Sequence, residues 1–197
     1  YMSLTIHKII FYISILAIFV CNRSYAARVF LVQEQKDDFV SISIMLDTEG
    51  ENINAMAGTL TFDTESLSNP TIYTKKSIVN YWIESPYLDA TTSKSISWAG
   101  IVPGGFSGVR SGLYKGTRPG ELFRIIFSKN KSGTTTIVLK DIDLKLNDGL
   151  ATTVPVSDKS FKISTNTNTE NTITIDTEHD NNFKNQNDDK KISITIK

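Results

Sequence analysis

The sequence predicts an all-β fold in which two sheets pack face to face, and three observations carry that prediction. Apolar and polar residues alternate with a period of two in run after run between Arg28 and about Ser164. Turn-forming groups of Gly, Pro, Asn and Asp punctuate those runs. No convincing helix pattern occurs anywhere in the region. Short strands of this kind build a sandwich or a barrel. The sandwich is favoured, because no helix is there to cover either hydrophobic face.

The elements follow in order. Val40, Ile42, Ile44 and Leu46 alternate with Ser41, Ser43 and Met45, which turns one face inward. Met56, Leu60 and Phe62 repeat the pattern in a run that ends at Asp63. Ile96 and Trp98 alternate with Ser95 and Ser97, so Trp98 is expected in the core. Phe123, Ile125 and Phe127 alternate with Leu122, Arg124 and Ser128. Thr135, Ile137 and Leu139 form the next run, and Ile142, Leu144 and Leu146 another. Glu49-Gly50, Asn69-Pro70, Pro103-Gly104-Gly105, Pro119-Gly120, Ser132-Gly133 and Asn147-Asp148-Gly149 are expected to separate these strands as turns.

Around this domain, placed at residues 27–164, the composition changes. Residues 1–26 read as an export signal: a short head with His7 and Lys8, then an apolar run from Ile9 to Val20. That run is too short for a membrane span of roughly 20 residues. Ser24 and Ala26 put small side chains where a signal peptidase reads, so cleavage is expected after Ala26; an uncut membrane anchor is the alternative. Residues 165–191 are rich in Asn, Thr and Asp and read as a disordered linker, too apolar-poor to offset ordering entropy. Residues 192–197 alternate again and read either as the start of a further β domain or as a frayed tail. Tyr1 ahead of Met2, with this abrupt ending, suggests a piece of a longer chain. The expected location is secreted or extracellular, attached to the cell surface through a missing C-terminal part.

Composition narrows the chemistry. Lys+Arg and Asp+Glu balance at 21 each, which gives no electrostatic reason to expect nucleic acid. The one cysteine, Cys21, lies inside the signal, so the mature domain must be held by its core rather than by disulfides. Both histidines, His7 and His179, fall outside residues 27–164, which removes His-dependent nucleophile systems and His/Cys metal sites from the domain. No phosphate loop or dinucleotide fingerprint is present, and no cofactor is expected. A glycosidase needs two carboxylates, yet Asp63, Glu84, Glu121 and Asp148 all have turn or strand-end explanations. Asp141, Asp143, Asn147 and Asp148 invite a calcium reading, but Lys145 stands where an oxygen ligand should be. Asp141, Asp143 and Lys145 instead read as the outer face of a strand, with Asn147-Asp148-Gly149 supplying positive-φ turn residues. The chain therefore reads as a non-enzyme.

Several local patterns in sequence resemble bacterial cohesin domains and the carbohydrate-binding modules that share their fold. Gly58-Thr59-Leu60-Thr61-Phe62-Asp63 with Leu67 is similar to one cohesin segment, and Ser77-Ile78 to Trp82, Glu84 and Pro86 to the stretch after it. Ser95 to Gly100 with Pro103 to Gly108, then Glu121 to Phe127, resemble the following strands, and Asn147-Asp148-Gly149 a late turn. The resemblance spans roughly Arg28 to Ser164. It implies a jelly-roll sandwich of about nine strands that binds a dockerin-like protein module or a polysaccharide. A cohesin-like module holding a protein partner is the leading expectation. A carbohydrate-binding module within a larger secreted protein is the second, and a structural spacer the third. No small-molecule cofactor is implied, and the domain is expected to be monomeric.

The strand readings also locate a binding surface. One sheet face is expected to expose Thr59, Thr61, Ser95 and Ser97 beside Ala55, Ala57 and Ala99. Tyr81 and Trp82, with Phe106 and Tyr114 from the loop between Pro103 and Tyr114, are expected to rim it and anchor a partner. Being adjacent on an extended segment, Tyr81 and Trp82 must point to opposite sides. In cohesins the dockerin lies on a sheet face that includes the corresponding third and sixth strands, so the resemblance implies the same place.

Overall fold

A computed structural model describes residues 27–36, 38–91, 94–110 and 117–166, with only the backbone of Arg110 and Thr117. Its strands are β1 (Arg28–Lys36), β2 (Phe39–Asp47), β3 (Ile53–Phe62), β4 (Leu67–Tyr73), β5 (Tyr81–Leu88) and β6 (Ser95–Phe106). They continue with β7 (Val109–Arg110), β8 (Thr117–Arg118), β9 (Gly120–Lys129), β10 (Thr134–Leu146), β11 (Thr153–Val154) and β12 (Lys159–Ser164). Among the described residues nine strands are six residues or longer and no helix occurs, which is the predicted all-β sandwich.

One sheet runs β1-β2-β9-β4; the other runs β11-β10-β3-β6-β5, with β12 also joined to β10. Every pairing is antiparallel, and β7 and β8 form a separate small hairpin. The alternation read from the sequence is the reason for this layering. Val40, Ile42, Ile44 and Leu46 of β2 are fully buried, as are Phe123, Ile125 and Phe127 of β9. From the other sheet Leu60, Ile96, Trp98, Ile137 and Leu139 meet them. Burying each such side chain contributes about 1.5–3 kcal/mol. Rings lock the middle: Trp98 stands edge-on to Phe123 at 4.9 Å between centroids, and Phe62 tilts against Phe127 at 4.8 Å.

Two glycines admit the tryptophans. A Cβ on Gly58 would lie 2.6 Å from Cζ2 of Trp98 and 2.6 Å from Cδ1 of Ile142. A Cβ on Gly100 would lie 2.5 Å from a Val79 methyl and 3.1 Å from the Trp82 ring.

The structure corrects several expectations about where strands stop. The runs at Thr135–Leu139 and Ile142–Leu146 belong to one strand, β10. Between Lys140 and Asp143 its register with β3 shifts, and Asp141 sits there with φ at 52°. This bulge inserts one residue, which moves the inward positions from odd to even numbers. Asp141 is therefore the bulge residue, and only Asp143 and Lys145 keep regular places on the outer face. Asn69-Pro70 and Pro103-Gly104-Gly105 are not turns between strands either. They lie inside β4 and β6, each beside a register shift, with φ of 49° at Asn69, 83° at Gly104 and 79° at Gly105. In the late turn Gly149 and Ala151, not Asn147 or Asp148, take positive φ, at 76° and 53°.

Strand β1 was not foreseen, and its Gln33 joins the two sheets. That side chain is 5% exposed; its Nε2 donates to the Ser164 carbonyl at 2.6 Å, and its Oε1 accepts from the Ser164 N–H at 3.2 Å. Gln35 donates to the same carbonyl at 2.7 Å. A primary amide can thus replace the backbone pairing that a strand at this open side would otherwise supply. The fold also reaches one residue past the expected boundary, because Thr165 is 2% exposed and its hydroxyl donates to the Lys131 carbonyl. The signal expected at 1–26, nearly all of the expected linker and the 192–197 segment lie outside the described residues.

Candidate partner-binding face

The outer face of β10-β3-β6-β5 is best described in cross-strand rows, because residues paired in register stand side by side. The first row is Lys145, Ala55, Ile101, Tyr81; the second is Asp143, Ala57, Ala99, Glu84. The third is Lys140, Thr59, Ser97, Tyr87, and the fourth continues with Val138, Thr61 and Ser95. The centre, on β3 and β6, is a floor of Ala, Ser and Thr side chains with Ile101 at one end, all partly exposed. Hydroxyls on that floor meet one another, with Thr59 Oγ1 and Ser97 Oγ 3.4 Å apart.

The two borders differ. Strand β5 carries Tyr81 at 63%, Ile83 at 66% and Tyr87 at 46% exposure, an apolar ridge at the edge of the sheet. Glu84 stands within it and accepts a hydrogen bond from the Tyr87 hydroxyl. That bond, and then the carboxylate's charge, holds the phenol above its ordinary pKa. Strand β10 carries lysines instead. Lys145 pairs with Asp143 at 2.9 Å and also donates to Thr153, while Lys140 is exposed.

The sequence-predicted residues divide accordingly. Thr59, Thr61, Ser95 and Ser97 lie together on the outer face, and Tyr81 projects beside them. Trp82 does not. It pairs with Gly100 on the inner side and stands edge-on to Phe123 at 6.4 Å, because its neighbour Tyr81 takes the outward position. Phe106 is also turned inward, partly buried against the core beside Gly120, whose missing side chain leaves space for its ring. Tyr114 lies outside the described residues. Ile83 and Ile101 were missed. Ile83 falls at a bulge of β5, between Trp82 and Glu84, where alternation fails as a guide.

The carboxylates singled out from the sequence have local partners. Asp63 accepts from Ser66 Oγ at 2.6 Å and from the Glu65 N–H at 3.0 Å, and these bonds hold it below the ordinary Asp pKa. Asp148 is lowered in the same way by the Thr152 hydroxyl and the Leu150 N–H. Glu121 pairs with Arg124 at 2.8 Å and accepts from Ser43 of the adjacent strand β2, all three on the sheet β1-β2-β9-β4. Among the described residues no group of three or more His, Cys, Asp or Glu could hold a metal ion.

With this geometry in view, comparison with solved structures identifies the fold. A cohesin from Clostridium acetobutylicum is 12% identical, with a TM-score of 0.53 over 73% of this chain and 92% of that one. The seventh ScaB type I cohesin of Pseudobacteroides cellulosolvens is 13% identical, with a TM-score of 0.52 over 71% of this chain and 92% of its own. The OlpA cohesin–dockerin complex of Clostridium thermocellum is matched at 13% identity and a TM-score of 0.53, covering 71% of this chain and 98% of that one. No protein-family model matches the chain, and no curated protein matches it in sequence. The described domain has the cohesin fold, as the resemblance in its sequence implied.

Proposed function

We propose that this chain is an exported, non-catalytic binding module that holds a dockerin-like protein at the cell surface, on the outer face of β10-β3-β6-β5. The observation that carries this reading is the floor of Ala, Ser and Thr between two taller borders. Small side chains let another folded protein approach the sheet closely, and exposed apolar residues at the border supply the anchors that interfaces use. Cohesins of the same fold have been solved with dockerins bound, which supports a dockerin-like partner. Export rests on the signal pattern of residues 1–26. The test is titration of the full chain with a panel of dockerin modules. Ala57→Arg and Thr59→Arg should each weaken capture by about thirtyfold or more, the scale of a hot-spot loss, with the melting curve retained. If no dockerin module binds, or if both substitutions leave binding unchanged, the reading is wrong.

One observation favours a second reading. Tyr81 and Tyr87 expose rings on either side of Glu84, and rings with a nearby carboxylate are suited to sugar. A polysaccharide-binding module would lose glycan retention on Tyr81→Ala or Tyr87→Ala, and would ignore Thr59→Arg.

A further inference from the structure

The two borders of this face differ in charge as well as in height. On the β10 side Lys140 is exposed, and Lys162 of β12 is exposed in register with Thr136 of β10. Neither lysine has an ion-pair partner among the described residues, whereas the nearby Lys145 is matched by Asp143. On the β5 side the exposed apolar residues Tyr81, Ile83 and Tyr87 surround the carboxylate of Glu84, and Asp89 adds a second negative charge near Tyr87. Three strand spacings, about 14 Å, separate β10 from β5, β12 with Lys162 lies one spacing further out, and the uncharged floor lies between the borders. Two lysines without ion-pair partners on one flank and an apolar ridge with the acidic Glu84 and Asp89 on the other do not look alike to a partner. Like charges set together in an interface are costly, and complementary ones fix how the partner sits.

We propose that the partner held by this face is a protein with an acidic flank and an apolar flank. The acidic flank lies over Lys140 and Lys162, and the apolar flank, carrying a basic residue toward Glu84, lies over Tyr81 and Ile83. This proposal rests on the dockerin-like reading and adds the chemistry of the partner to it. Covering the lysines with carboxylates replaces their hydration with charge-assisted bonds. Covering Tyr81 and Ile83 removes from water the two most exposed of the large apolar side chains on β5.

The experiment uses the full chain against a displayed panel of natural dockerin modules at low and high salt. Modules retained by the unmodified chain and lost on Ala57→Arg are the ones seated on this face. For those, Lys140→Glu and Lys162→Glu should each weaken binding by about tenfold at low salt, and the loss should shrink as salt screens the charges. Tyr81→Ala should weaken binding at both salt concentrations. Reversing an acidic residue of the module to Lys should restore binding to the Lys140→Glu chain. Lys36→Glu, on the opposite sheet, serves as the control and should change nothing. Face-seated modules whose affinity moves less than about twofold on both lysine reversals would overturn the proposal while leaving the dockerin-like reading in place. A panel in which no module is retained would overturn that reading, and this proposal with it.

Discussion

Gly58→Ala tests how the core beneath the binding face is packed. Gly58 lies opposite Trp98 in the register of β3 and β6, with Ile142 of β10 on its other side. The new methyl would meet Cζ2 of Trp98 at 2.6 Å and Cη2 at 3.0 Å, closer than side-chain carbons approach. The Cδ1 of Ile142, also at 2.6 Å, is the end of a flexible side chain and can rotate away. The indole cannot retreat as easily, since it is 2% exposed and backed by the fully buried Phe123 at 4.9 Å. Overpacking of this kind costs about 1–3 kcal/mol. Replacing Gly by Ala in extended backbone returns about 0.4–1 kcal/mol through the unfolded chain. Taking the middle of each range, the net loss should be about 1.3 kcal/mol, or about 3–6 °C in Tm for a domain of this size. Urea denaturation should show a lower midpoint and an unchanged slope. Trp98→Phe removes both contacting ring carbons, so in that background Gly58→Ala should cost less than about 0.5 kcal/mol. A Gly58→Ala protein as stable as the parent, or a penalty that persists in Trp98→Phe, would refute the packing argument.

Three further outcomes are expected. Gln33→Leu should cost about 1–3 kcal/mol by leaving the Ser164 N–H without its acceptor, and amide exchange at Ser164 and Thr165 should quicken; unchanged protection there would show that the amide does not join the sheets. Asp63 and Asp148 have folded-state pKa values below the usual range, so the stability they add is present above about pH 4 and is lost as pH falls through their lower folded values. Asp63→Asn and Asp148→Asn, which keep an acceptor in each turn, should flatten acid unfolding in that window, and an identical acid profile would count against the turn bonds. Tyr87 is held above its ordinary pKa chiefly by Glu84, so its stabilising contribution is present below about pH 10 and fades as pH rises through the raised value. Absorbance titration should show a late ionisation that Tyr87→Phe removes, and Glu84→Gln should bring it down toward the ordinary phenol range.

The alternation of residues by itself determined that this protein is a β-sandwich and which side chains enter its core. Val40 to Leu46, Ile96 with Trp98, and Phe123 to Phe127 all point inward as a period of two requires. The same alternation placed Thr59, Thr61, Ser95 and Ser97 together on one outer face, because paired strands carry their phase from one to the next. Alternation is a local signal, however, and it fails where one residue is inserted or where both faces of a strand are apolar. Asp141 made one strand look like two, and the bulges within β4 and β6 resembled turns, since each uses the Gly, Pro or Asn that a turn also uses. Strand β1 was hidden because Val29 to Val32 is apolar without a break. Only the tertiary structure decided that Trp82 belongs to the core and Ile83 to the surface. That choice depends on the bulged pairing of β5 with β6 and on the space left by Gly100. The meeting of Gln33 with Ser164 and the contrast between the lysine and tyrosine borders also arise from pairings between strands distant in the chain, which no run of neighbouring residues encodes.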